Sequence, residues 1–148
     1  MANAALVNAS GDGSLAGIIP ELADALARRL GAPVQYLRYA SGGAIVDDIG
    51  AGRWDVAFLA VDPARTDRLT FSRPIARIEA TFAVEDGSPL KHADQADRAG
   101  LTIATTSNAA YELHPKRTLQ RAVIVSHDTS AAALESVLAG RCDLAAGP

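Results

Sequence analysis

The sequence predicts an α/β chain built as two similar lobes, with mainly parallel sheets joined by a crossover strand. Two observations carry that prediction. Short apolar runs alternate with helical patterns, which implies parallel strands linked through crossovers. A strand–helix–glycine–strand unit also occurs twice: residues 51–57 read AGRWDVA and residues 139–145 read AGRCDLA. The match extends back through the preceding helices, where Ala44, Val46 and Ile49 face Ala132, Leu134 and Val137, and on to VQYLRY against AVIVSH. The predicted division is a first lobe over 1–78, a crossover strand over 79–84 and a second lobe over 85–148.

Taken in order, residues 4–7 read as a short strand and NASGDG at 8–13 as turn chemistry. IIPELADALARRLG reads as a helix with Pro20 at its first position. Glu21 and the Arg28–Arg29 pair suit its dipole, Gly31 stops it, and Ile19, Leu22, Leu26 and Leu30 form a packing stripe. VQYLRY at 34–39 is a strand. ASGG at 40–43 then leads into a helix over 44–50, and reads either as a plain turn or as an anion-receiving loop.

The next stretch, 51–72, organises the rest. Gly52 ends a helix, and WDVAFLAV at 54–61 has the continuous hydrophobicity of a parallel strand buried on both faces. Asp62 suits an N-cap and Pro63 the first position of a short helical turn. Arg65 then falls at the carboxyl end of a central strand, where open α/β sheets bind ligands. It is either an ordinary solvated charge or an anchor that holds a carboxylate through two parallel hydrogen bonds.

Residues 78–84, IEATFAV, follow as a strand. Glu79 within them is either a rim or paired carboxylate, or a site residue. Residues 91–100 are polar and loosely helical, and LTIAT at 101–105 is a strand. Thr106, Ser107 and Asn108 open a helix, as ordinary caps or as donors to an anion, and Pro115 should kink or end that helix. Strands at 122–126 and 142–146 flank a helix at 129–139 that is capped by Thr129 or Ser130 and stopped by Gly140.

Composition narrows the function. With 148 residues, about half apolar and a fifth charged, the chain is globular rather than disordered. A net charge of −3 with dispersed basic residues argues against a nucleic-acid or anionic-membrane partner. The single Cys142 lies in an apolar run and reads as a buried structural thiol. His92, His114 and His127 lack ligand spacing, so no metal or other cofactor is expected. No run is long enough for a membrane span. MANAALVNAS has neither a basic region nor an apolar core, so the chain as written is expected in the cytoplasm.

Three stretches resemble the solute-binding proteins (family 3) that serve polar amino-acid ABC transporters. GIIPELADALARRLG resembles their "GxxxDLAxxxAxxLG" opening. AGRWDVAFLAVDPARTDRLTFSRP resembles their "GkxDxxxxxxxxtpeRxxxxxFSxPY" signature, and GLTIATTSNAAY the start of their second lobe. The resemblance implies a periplasmic-binding-protein-like fold of two lobes that close on a ligand, trimmed at both ends. It implies that Arg65 binds a ligand α-carboxylate, with Leu59, Ala60, Val61 and Asp62 lining one wall. Thr106, Ser107 and Asn108 would donate from the other lobe, and Glu79 would sit at the cleft or hinge.

The departures are Ile75 where the family usually has Tyr, and no aromatic in 40–43. The acidic residue that pairs a ligand's amino group would fall near Gly147 and Pro148. The implied function is binding of a small amino-acid-like carboxylate, with no cofactor and no catalysis. The implied place is the periplasm, with an ABC permease as partner. A trimmed first lobe would also expose apolar surface and an open edge, which suggests pairing with a second copy. The competing readings are a dehydratase of prephenate-like acids with Glu79 as acid, a ligand-sensing domain, and a fragment that binds nothing.

Overall fold

Thirteen residues with good helix propensity, an acidic first turn and a basic last turn form the longest helix of the chain, α1 (Ile18–Leu30). Gly31 ends it in the left-handed conformation at φ 65°. The helix starts two residues earlier than the proline rule suggests, so Pro20 is its third residue, still within the turn whose N–H groups lack partners. The computed structural model describes residues 6–147. Residues 4 and 5 of the strand expected over 4–7 lie outside them. The strand that forms is β1 (Asn8–Ala9), antiparallel to β2 (Leu15–Ala16) across the glycine-rich turn.

The chain divides into two compact units, Met1–Arg38 and Tyr39–Pro148. In the first, the Tyr36 hydroxyl donates to the Asp24 carboxylate at 2.7 Å and Arg38 donates to the Gly13 carbonyl at 3.0 Å. The α1 stripe is not fully packed: Leu22, Leu26 and Leu30 remain exposed.

The second unit is built on a four-stranded sheet in the order β3–β6–β4–β5, from β3 (Thr81–Val84), β4 (Thr102–Thr106), β5 (Val123–His127) and β6 (Leu144–Gly147). β4 is parallel to both β5 and β6, and β3 runs antiparallel to β6. Alternation along β4 and β6 sorts two cores. Ala104 and Ala145 pack with Ala133, Val137 and Cys142 from the side of helix α5 (Ser130–Leu138). Ile103, Leu144 and Ala146 face a second cluster with Phe82, Leu90 and Tyr111. Cys142 is buried as a free thiol. Asp143 ties the β6 entrance to β4 by accepting from both the Thr102 N–H and its hydroxyl at 2.7 Å.

Helix α5 is capped by Thr129, whose hydroxyl accepts from the Ala132 N–H at 3.1 Å, and Gly140 follows it at φ 64°. Helix α4 (Ala110–Thr118) passes through Pro115 and ends three residues beyond, where a break or kink was expected. Proline forfeits one N–H there, a tolerable loss in a helix whose buried face already packs on β4, β5 and β6. Residues 93–96 form a 3₁₀ turn, Ala93–Ala96.

The two copies of the repeat part company. The 142–146 run joins the sheet, and 54–61, expected as a strand buried on both faces, does not. No backbone bond among the described residues ties it to another strand, and Val56 and Val61 are 59% and 55% exposed. Residues 34–39 and 78–80, also expected in strands, likewise carry no ladder. The apolar pattern of a strand is present in these segments, but among the described residues no ladder bonds form along them.

Candidate functional site

Within the second unit, three stretches converge: 41–43, 59–65 and 106–117. Asp62 is extended and its carboxylate accepts from the Ala64 N–H at 2.9 Å, with Pro63 opening the one-turn helix α3 (Pro63–Thr66). That turn carries Arg65 inward, where it is 3% exposed. One guanidinium nitrogen donates to the Ala60 carbonyl at 2.9 Å and the other terminal nitrogen to the Asn108 carbonyl at 2.7 Å. Two of the five N–H donors of the fork are thereby committed to neutral acceptors. Among the described residues no carboxylate forms an ion pair with Arg65. Burial pulls its pKa below the ordinary arginine value, and Asp62 pushes the other way.

Asp62 is itself engaged. Both its oxygens accept from the two terminal nitrogens of Arg117, at 3.0 and 2.9 Å, in an end-on bidentate pair, and Asp62 is 3% exposed. Burial raises the Asp62 pKa, but Arg117, the Ala64 N–H and Arg65 outweigh it and hold the carboxyl below its usual range.

The loop after β4 is fixed by a buried acid. Asn108 adopts the left-handed conformation at φ 56°, and its N–H donates to Glu112 at 2.7 Å. Glu112 is fully buried and also accepts from the Thr105 hydroxyl at 3.2 Å, the Ser126 hydroxyl and Lys116 at 3.0 Å. Burial again raises the pKa, and Ser126, Lys116 and the Asn108 N–H together bring it below the ordinary glutamate value. The helix cap expected from Thr106 or Ser107 is therefore replaced. The N-cap residue is Ala109, with no side-chain bond, and the acid in the first turn reaches back instead.

The third stretch approaches through glycine. Ser41 caps α2 (Gly42–Asp47) by accepting from the Ala44 N–H. A methyl group built on Gly43 would lie 2.5 Å from the Asn108 Cβ and 3.3 Å from the Ser107 carbonyl. One on Gly42 would meet Leu59 at 3.4 Å and Arg65 at 3.6 Å. The backbone of α2 thus rests directly on the Arg65 surroundings.

Of the residues expected at the site, the structure brings together Arg65, Leu59, Ala60, Asp62, Ser107 and Asn108. Val61 is exposed beside them. Thr106 is buried in a separate hydroxyl cluster, with Ser130 at 3.1 Å and Tyr111 joined to Ser130 at 2.9 Å. Glu79 is exposed, two residues before β3 begins. Glu112 and Arg117 were not foreseen, and Gly43 only as part of the 40–43 loop. The first had a legible signal, a Glu four residues before Lys116 in the first helical turn; Arg117 finds Asp62 across 55 positions, which no local pattern announces. A hollow of about 440 Å³ lies elsewhere, lined by Glu85, Arg98, Leu101 and Val137.

Residues 3–114 match the bacterial extracellular solute-binding proteins, family 3. No curated protein matches the chain. Among solved structures, an ancestral arginine-binding protein bound to arginine superposes with a TM-score of 0.80 at 21% identity, over 97% of this chain and 64% of that one. An ancestral amino acid-binding protein described as a precursor of cyclohexadienyl dehydratase gives 0.79 at 22% identity, over 97% and 64%. Holo ArgBP from T. maritima gives 0.76 at 18% identity, over 96% and 63%. At these identities the likeness is one of fold, and the chain spans about 64% of the length of the first two.

Proposed function

The chain belongs to the bacterial extracellular solute-binding proteins, family 3, and on that premise we propose that it binds a small carboxylate-bearing, amino-acid-like solute with Arg65 as the carboxylate anchor. The observation that carries this reading is a buried guanidinium that forms no ion pair with a carboxylate among the described residues. A buried cation is costly unless an anion meets it, and this one keeps donors free beyond its two carbonyl contacts. Backbone at Leu59, Ala60 and Val61 and the loop of Ser107 and Asn108 supply the surrounding wall. Asp62 sets the turn, and Glu79 lies at the junction of the lobes.

In this reading residues 1–78 form one lobe and 85–148 the other, joined through 79–84, and ligand contacts shared by both favour the closed state. The protein works without catalysis or cofactor, outside the cytoplasm, and hands its solute to an ABC permease. The family and the names of its structural relatives support an amino acid as the solute.

The test is thermal unfolding with L-arginine, L-glutamine, L-glutamate and succinate, for the native chain and Arg65→Met. Ligand at a hundred times its Kd adds about 2.7 kcal/mol, a rise of roughly 5–10 °C at this chain length. The shift should vanish in Arg65→Met, whose own Tm falls because the Ala60 and Asn108 carbonyls lose their donor. A shift that survives in Arg65→Met, or none with any of the four, refutes the assignment.

A further inference from the structure

Two contacts tie the 59–65 stretch to the segment around α4, and they differ in what a ligand does to them. The bond from Arg65 to the Asn108 carbonyl uses a donor that an incoming carboxylate would compete for. The Asp62–Arg117 pair does not: both carboxylate oxygens are already matched by both terminal nitrogens, so it is complete without a third group. It acts on the one turn that aims Arg65, because the same Asp62 carboxylate caps that turn through the Ala64 N–H. The pair is also one-sided. The Asp62 side chain is 4% exposed and that of Arg117 40%, so the acid belongs to the interior and the base reaches in from the surface of α4.

We propose that Arg117 is a positioning residue: by clamping Asp62 it holds the Arg65 turn against α4 before any ligand arrives, so that the binding site rests closed. The proposal depends on the carboxylate-binding reading above, in which 59–65 and α4 belong to opposite lobes. Binding then exchanges the Asn108 carbonyl for the ligand carboxylate at Arg65, with little further movement of the lobes. The affinity follows from pre-closure: when only a fraction of molecules is competent, the apparent Kd rises by the inverse of that fraction.

Nitroxide labels at Arg68→Cys and Glu135→Cys, both exposed positions, in a Cys142→Ala background report the distance between the two sides by pulsed electron resonance. The ligand-free chain should give one narrow, short distribution. Asp62→Asn keeps a good N-cap and removes the charge, which separates the clamp from the cap. Asp62→Asn and Arg117→Ala should each shift the distribution to longer distances, the double variant no further, and Arg117→Lys by less, since lysine cannot make the two-pronged bond. L-arginine titrated by calorimetry should weaken in proportion, about tenfold where a tenth of the molecules stay closed. Unchanged distances in Arg117→Ala, or effects that add in the double variant, overturn the proposal. Arg65→Met separates the two readings: it should lose L-arginine binding and keep the short distance. Failure of the native chain to bind L-arginine would weaken the ligand assignment and leave the distances to decide the clamp.

Discussion

Glu112 is the side chain whose removal the structure prices most clearly. It is fully buried and accepts from four donors: the Asn108 N–H, the Thr105 and Ser126 hydroxyls, and Lys116. Glu112→Gln keeps the shape. Its carbonyl oxygen can still serve the Asn108 N–H, and its amide can donate to hydroxyls that rotate to accept. Three charge-assisted bonds become neutral, at about 1 kcal/mol each, so the loss is about 3 kcal/mol. Glu112→Ala adds a cavity and leaves the Asn108 N–H unmet, for about 4–5 kcal/mol. Lys116→Ala removes only a half-exposed partner and should cost under about 1 kcal/mol. Thermal and denaturant unfolding read these directly, with Tm lowered by roughly 6–12 °C in Glu112→Gln and by no more than about 3 °C in Lys116→Ala.

The pH dependence follows from the same residue. The folded carboxyl lies below the ordinary glutamate value of 4.5. Its contribution is therefore complete above the unfolded pKa and lost as pH falls through the lower folded one. The gap in stability between the native chain and Glu112→Gln should be constant from neutral pH down to about 5, then narrow on further acidification. Equal losses in Lys116→Ala and Glu112→Gln would refute the reasoning, because the ion pair rather than the buried bonds would then be the source. So would a gap that widens with acid.

Two further substitutions probe the neighbouring geometry. Gly43→Ala would set a methyl group 2.5 Å from the Asn108 Cβ, and should cost about 1–3 kcal/mol in denaturant unfolding; Gly42→Ala, whose methyl meets nothing nearer than 3.4 Å, should cost clearly less. Thr129→Ala removes the hydroxyl that caps α5 and should lower stability by about 1 kcal/mol, read as a Tm fall of roughly 2–4 °C.

Local rules carried the second half of the chain further than the first. The β4, β5 and α5 boundaries follow from hydrophobic runs, the Thr129 cap and the Gly140 stop, signals contained within a few residues. The Asp62–Pro63 turn was legible for the same reason: cap and proline stand side by side. The 54–61 run had the composition of a buried strand, but burial is decided by what lies alongside, and that information sits elsewhere in the chain. The site divides in the same way. Arg65 stood out by its place after a strand, and its partner carbonyl at Asn108 comes from 43 positions away. The Asp62–Arg117 pair is longer in range still. Thr106 looked like a donor because it opens a helix, and its hydroxyl is instead taken up by Ser130, whose position depends on how α5 lands on the sheet.

The order of strands in the sheet also bears on how the chain is made. β6, the last of the described strands to leave the ribosome, occupies an interior place between β3 and β4. Until residue 147 has emerged, β3 has no ladder and one side of β4 is open, whatever β5 and α4 have already achieved. Synthesis at about 5–20 residues per second would leave that gap open for roughly 3–12 seconds between completion of β3 at residue 84 and of β6 at residue 147. From completion of β5 at residue 127 until then, Ile103 has its β5 neighbour but not its β6 one. A nascent chain arrested just short of β6 should therefore be held by chaperones and cut by proteases far more readily than one arrested after β6 has emerged.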